Sequence, residues 1–192
     1  MKKNVVSIVF ALVFGLAATA STPKHEDTKK VKASESTVTW KGYKVTGSHT
    51  GTIDLKEGSL TFDNGKLTGG EFVVDMTSLA STDLSGEYKG KLEGHLKSDD
   101  FFGVANHPTS RLVFTKVKAN GKNSYEVSGN LTIKGTTKAL TFDVSVYGSK
   151  ATATLKVDRA LYDIRYGSGS FFDNLGDKTI YDEFDLVVDL VF

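Results

Sequence analysis

Asn130-Leu131-Thr132-Ile133-Lys134-Gly135-Thr136-Thr137-Lys138-Ala139-Leu140-Thr141-Phe142-Asp143-Val144-Ser145-Val146 is the stretch that decides the fold. Apolar and polar residues alternate on both sides of a glycine turn, which is the two-residue period of a strand half-buried against a core. Leu131 and Ile133 share a face of the first arm, and Leu140, Phe142, Val144 and Val146 share a face of the second. β-Branched and aromatic side chains at these positions favour extended backbone, so the stretch reads as a β-hairpin with one apolar face.

The same alternation runs outward from this hairpin. Upstream it carries Val38 and Trp40, then Tyr43 and Val45, then Ile53 and Leu55. Leu60 and Phe62 lead into Asp63-Asn64-Gly65-Lys66, whose Asn-Gly pair tolerates the positive φ of a tight turn. The returning arm holds Phe72, Val74 and Met76; Leu67 is one residue out of step with it, and Gly69-Gly70 marks the place for a bulge. Later rows are Leu112 and Phe114; Val127, Leu131 and Ile133; Ala151, Ala153, Leu155 and Val157; and Phe184 to Phe192.

Between Asp83 and Phe102 the rhythm changes, with Leu84, Tyr88, Leu92 and Leu96 spaced by four. That spacing predicts an amphipathic helix. Gly86, Gly90 and Gly94 each cost it about 1 kcal/mol against alanine, so packing must hold it, and a lid over a barrel end is the expected role. The reading is all-β with about eight strands. Periodicity leaves open whether they stack as a sandwich or close as a barrel, and whether the apolar face turns inward or toward lipid.

The chain has 192 residues, enough for one domain with a sizeable core. Lys2 and Lys3 precede an apolar run from Val5 to Ala18, and Ala18-Thr19-Ala20 offers the small residues of a cleavage site. Residues 1–20 are therefore expected to be a secretory signal peptide, the run being shorter than the roughly 20 apolar residues of a spanning helix. Residues 21–36 are rich in Lys, Glu, Asp, Thr and Ser with Val31 as the one large aliphatic residue, and read as a flexible leader. There is no cysteine, which excludes disulfides and lipid-modified cysteine. The net charge is +1, and loss of Lys2 and Lys3 takes it to −1, which gives nucleic acid nothing to bind.

Several segments together resemble the YceI-like family of secreted lipid-binding proteins. They are Gly47-Ser48-His49-Thr50, Asp75-Met76-Thr77-Ser78-Leu79, His95-Leu96-Lys97-Ser98-Asp99-Asp100-Phe101-Phe102, His107-Pro108 with Leu112-Val113-Phe114, Gly129 to Lys138, Asp158-Arg159, Tyr162-Asp163-Ile164 and Gly176-Asp177. Where many relatives carry a Phe-Gly-Ile-like run, this chain has Tyr162-Asp163-Ile164-Arg165-Tyr166-Gly167. The resemblance implies an eight-stranded antiparallel, lipocalin-like barrel with a short helical lid over residues 37–192. It also implies a non-catalytic periplasmic carrier that needs no cofactor and holds an isoprenoid lipid, a quinone or polyprenyl tail, as its ligand. Transient membrane contact and a homodimer are compatible with it.

The residues expected to line the interior are Trp40, Phe62, Phe72, Val74, Phe114, Leu131, Ile133, Leu140, Phe142, Val144 and Leu155. His25, His49, His95 and His107 lack metal-ligand spacing and read as hydrogen-bonded structural residues; a site would need His49 and His95 to converge with Asp99 or Asp100. Gly167-Ser168-Gly169-Ser170 lacks the spacing of a nucleophile elbow and reads as a flexible rim, so no catalytic or metal residue is expected. Arg159 and Arg165 are candidates for a headgroup contact or a structural ion pair. Three other functions fit the pattern less well: a ligand-free envelope stress or interaction domain, a small outer-membrane barrel, and an enzyme using His49 and His95 on an apolar substrate.

Overall fold

The structure, a computed structural model, describes residues 26–192. The expected signal peptide at 1–20, residues 21–25 of the expected leader, and His25 lie outside the described residues. The deciding hairpin forms as read. Strand β6 (Ser124–Ile133) pairs with β7 (Thr136–Tyr147) through a two-residue turn in which Lys134 and Gly135 both have positive φ, 50° and 75°. Such a turn carries the right-handed twist of the flanking strands. Asn64-Gly65 makes the same turn, φ 50° and 77°, between β3 (Gly47–Asp63) and β4 (Lys66–Ser81).

With β2 (Thr37–Lys44), β5 (Thr109–Ala119), β8 (Lys150–Asp158) and β9 (Ile180–Val191), these strands pair antiparallel in the order β3-β2-β9-β8-β7-β6-β5-β4. Pairing of β3 with β4 closes the ring into an eight-stranded barrel. Closure gives each of these eight strands a partner on both sides. Apolar residues turn inward: Tyr125, Val127, Leu131 and Ile133 of β6 and Ala151, Leu155 and Val157 of β8 are buried, while Glu126, Asn130, Lys150, Thr152 and Lys156 face solvent. An outer-membrane barrel needs the opposite polarity, so that expectation does not hold for these strands.

The bulge near Gly69-Gly70 is present. Thr61 pairs with Gly69 and Phe62 with Leu67, so Thr68 is the extra residue and both Leu67 and Phe72 are buried. Gly70 has a second reason to be glycine: a Cβ there would stand 2.8 Å from the Phe114 ring.

Residues 26–36, expected as flexible leader, are instead built into the barrel. Strand β1 (Glu26–Lys30) pairs antiparallel with Ser59 to Asp63 of β3, continuing the line of β2, and a 3₁₀ turn (Ala33–Glu35) joins the two. All five residues of β1 are exposed, so it is held by backbone pairing rather than by an apolar face. Lys29 stands over the rings of Phe62 and Phe192, 5.4 and 5.7 Å from their centroids, at the end of the barrel opposite the helix.

Helix α1 (Gly86–Lys97) is shorter than the four-residue spacing predicted. Leu92 and Leu96 pack on the core, whereas Tyr88 points into water at 75 % exposure and Leu84 precedes the helix. Lys89 and Lys91 pair with Glu93 and Glu87 one turn away. A run of turns follows and buries Phe101, Phe102 and Val104 beneath the lid.

Candidate functional site

Two apolar chambers lie end to end inside the barrel. The upper one, of about 130 Å³, sits under the lid between Trp40, Met76, Leu79, Leu96, Phe101, Phe102, Leu131, Ile133 and Phe184. The lower one, of about 80 Å³, is walled by Leu55, Leu60, Phe72, Phe114, Phe142, Val144, Leu155 and Leu190. Val38, Val74 and Leu186 line both and form the waist between them. An apolar cavity of about 150 Å³ accommodates benzene, so the upper chamber is the size of a single ring.

The sequence places these walls by strand alternation. Phe72, Phe114 and Phe142, on β4, β5 and β7, stack across the lower chamber with centroids 5.5 and 5.8 Å apart. Trp40 donates from Nε1 to the Ala80 carbonyl at 3.2 Å and lies across Gly51. A Cβ on Gly51 would meet that carbonyl oxygen at 1.9 Å and the indole at 2.5 Å, so only glycine lets the indole lie there.

Of the expected wall residues, Trp40, Leu131 and Ile133 line the upper chamber, Phe72, Phe114, Phe142, Val144 and Leu155 the lower, and Val74 both. Phe62 is buried but stacks on Phe192 at 5.6 Å at the far end, and Leu140 packs on the core without lining either chamber. Phe101, Phe102, Met76 and Leu79 were not among the expected wall residues. Met76 continues the row of Phe72 and Val74 and was findable there. The two phenylalanines follow the helix in irregular backbone, where no periodicity marks them.

One charged side chain lines the upper chamber. Arg159 is 2 % exposed, and its guanidinium donates to the carbonyls of Tyr181 (3.2 Å), Ile164 (2.8 Å) and Ile180 (2.9 Å). Asp182 stands 3.4 Å away, and the ring of Phe101 lies under it at 5.3 Å. Burial lowers the pKa of this guanidinium, against the opposing charges of Asp182 and Asp158. Arg159 thus clamps the loop from 159 to 179 to the first residues of β9. Arg165 pairs with Asp163 and lies over Phe171 rather than in the chamber.

The Gly-Ser loop, expected as a flexible rim, is packed. Ser168 is fully buried, its carbonyl accepts from the backbone of Phe171 and Phe172, and its hydroxyl accepts from the Ser170 N–H. The turn gains its hydrogen bonds locally, which composition alone conceals.

The histidines stay apart. His49 Nδ1 lies 2.9 Å from Asp83 Oδ2, at the point where β4 passes into the lid. Burial pushes the Asp83 carboxyl up, but bonds from His49, Ser81 and the Thr50 backbone outweigh it and leave it below the ordinary carboxylate range. Asp83 bridges His49 and Ser81, so no histidine reaches the serine as a base would have to. His95 instead packs edge-on against Tyr166 (4.3 Å) and Phe101 (5.7 Å), and Asp99 receives Asn106 on its carboxylate and Lys134 on its carbonyl. Among the described residues no three His, Asp or Glu side chains stand close enough to hold a metal ion.

A small closed barrel with an apolar interior, a helical lid and one buried arginine at the lid end defines the class of eight-stranded barrels whose bore is either filled by side chains or wide enough for one slender molecule. Residues 30–192 match the YceI-like domain, and the chain belongs to that family. It is 35 % identical over 88 residues to a UPF0312 protein of Azotobacter vinelandii, covering 46 % of this chain and 44 % of that one. A UPF0312 protein of Pseudomonas aeruginosa is 36 % identical over 92 residues, covering 48 % and 46 %. The chain thus spans about half the length of these curated relatives.

Solved structures share the fold. BcnA of Burkholderia cenocepacia superposes with a TM-score of 0.63 at 21 % identity, covering 84 % of this chain and 99 % of that one. A polyisoprenoid binding domain from Saccharophagus degradans gives 0.56 at 16 % identity, covering 84 % and 95 %. The Campylobacter jejuni YceI protein gives 0.52 at 14 % identity, covering 98 % and 96 %.

Proposed function

We propose that this protein is a secreted, non-catalytic carrier of an isoprenoid-type lipid, a quinone or polyprenyl tail, held along the barrel axis and acting in the periplasm after export. The observation that carries the reading is the pair of apolar chambers sharing the waist of Val38, Val74 and Leu186, capped by the lid. Each methylene withdrawn from water is worth about 0.8 kcal/mol, so a tail gains affinity without a directional contact. The name of the Saccharophagus degradans domain, a polyisoprenoid binder of like fold, supports the same class of ligand.

The dimensions refine the reading. A ring-sized group fits the upper chamber, and a tail continuing into the lower one must turn aside the side chains of the waist. No cofactor beyond the lipid is required, since uptake and release make and break no bond.

Organic extraction of protein purified from its native source, followed by mass spectrometry, tests the proposal. A stoichiometric apolar lipid with an isoprenoid tail is the expected result. Repeated recovery of lipid-free protein would favour the ligand-free interaction domain instead.

A further inference from the structure

We propose that the lid end of the barrel docks on a lipid bilayer surface through the aromatic rim formed by Tyr166, Phe171, Phe172 and Tyr181 with Leu161. Strand directions divide the connections into two ends: α1 and the loop from 159 to 179 lie at one, the turns at 63–66 and 147–150 at the other. Among the described residues nine large hydrophobic side chains are markedly exposed, and seven of them lie at the lid end. The five rim residues are 40 to 51 % exposed, although their loop is fixed by the buried Ser168 and by Arg159. Rings held in water by a rigid backbone are a standing cost that a partner surface relieves.

The chemistry of the rim points to lipid. Tyrosine and phenylalanine seat an apolar body at an interface, and Arg165, stacked on Phe171 at 4.9 Å, can keep its charge in the headgroups. The exposed charges of the loop are Asp163, Asp173 and Asp177 against Arg165 and Lys178, a net of −1 that is too small to select a basic protein partner. Half-exposed aromatic side chains present roughly 100 Å² each, and four of them with Leu161 fall short of the roughly 800 Å² per partner of a stable dimer. The rim is also continuous with the upper chamber, because Ile180 and Tyr181 line it. A lipid passing between bilayer and barrel at this end would stay out of water.

The test uses the full chain and phosphatidylcholine vesicles brominated on the acyl chains. In the variant Phe172→Trp, vesicles are expected to quench the added emission at least twofold, unchanged by high salt. Tyr147→Trp, at the opposite end, is expected to show no quenching beyond that of Trp40. F171S/F172S should lower the fraction floating with vesicles at least tenfold relative to Tyr147→Ser, with both variants matching the parent in thermal melting.

Equal quenching at 147 and 172, or none at either, overturns the proposal; attachment through the apolar run at residues 5–18 gives that pattern. Dimerisation in light scattering that is lost in F171S/F172S, without vesicle quenching at 172, makes a second copy the occupant and also overturns it. The outcome is read separately from lipid carriage, since vesicle quenching at residue 172 and the extractable lipid content of the same protein are independent measurements.

Discussion

Replacing Arg159 by methionine tests the clamp that closes the upper chamber. The substitution keeps most of the buried volume but removes donors to three carbonyls, of Tyr181, Ile164 and Ile180, and leaves Asp182 without its cation. Breaking a buried ion pair by removing one partner costs about 3–5 kcal/mol, and each orphaned carbonyl belongs to the same loss rather than adding in full. Against a total stability of about 5–15 kcal/mol this is a large fraction. Urea unfolding followed by circular dichroism is expected to show the midpoint falling by roughly 1–5 M at an m of about 1–3 kcal/mol/M. Asp182→Asn alone keeps the three carbonyl bonds and should cost less than Arg159→Met, and R159M/D182N should lose less than the sum of the two. A midpoint for R159M within roughly 0.5 M of the parent would refute the clamp.

Three further outcomes follow from the same geometry. Gly51→Ala puts a methyl against the Ala80 carbonyl and the Trp40 indole; it should cost about 1–3 kcal/mol and shift Trp40 emission, and an unchanged spectrum and melting point would contradict the packing described. Val38→Phe fills the waist, so protein bearing it should retain at least tenfold less extractable lipid at unchanged yield; parental lipid content would show that the tail does not pass there. The third outcome concerns pH. Asp75, bonded by the Thr77 hydroxyl and backbone, Asp185, bonded by Tyr43 and Lys156, and Asp83 all sit below the ordinary carboxylate range, so their stabilisation is present above about pH 4 and lost as pH falls through the lowered values. At the alkaline end, burial beside Asp158 raises Tyr162 to about 12; its contribution is present below the unfolded value near 10 and is lost as pH rises from there toward about 12. Urea midpoints measured across both ranges should fall at each end, and a midpoint that rises in acid would reverse the sign argued here.

The hairpin at 130–146 was readable because its apolar face is buried and its turn chemistry is explicit, and the same holds for the bulge at Thr68, betrayed by Leu67 falling out of step with Phe72. Strand β1 was not readable. Its side chains are all exposed and charged or polar, so burial imposed no alternation, and only the unpaired backbone of β3 explains why it pairs there. Tyr88 kept the spacing of a buried helical residue yet faces water, because α1 covers the barrel with its second half only. Phe62 obeys the inward alternation but stacks on Phe192 at the far end, and Leu140 obeys it but lines neither chamber; periodicity gives the face of a strand, not which inward residues border open space. Phe101 and Phe102 come from turns held by hydrogen bonds among Ser98, Leu96 and their neighbours, which no repeat announces.

Trp40 is the only tryptophan of the chain and lines the upper chamber, so its emission reports directly on what enters the barrel. Titration of delipidated protein with a prenylated benzoquinone is expected to quench it saturably at one ligand per chain, with affinity rising roughly tenfold or more for each added five-carbon unit until the chambers are full. A tail-free quinone that quenches with equal affinity, or no saturable change with any tail length, would contradict an interior built to hold an isoprenoid lipid.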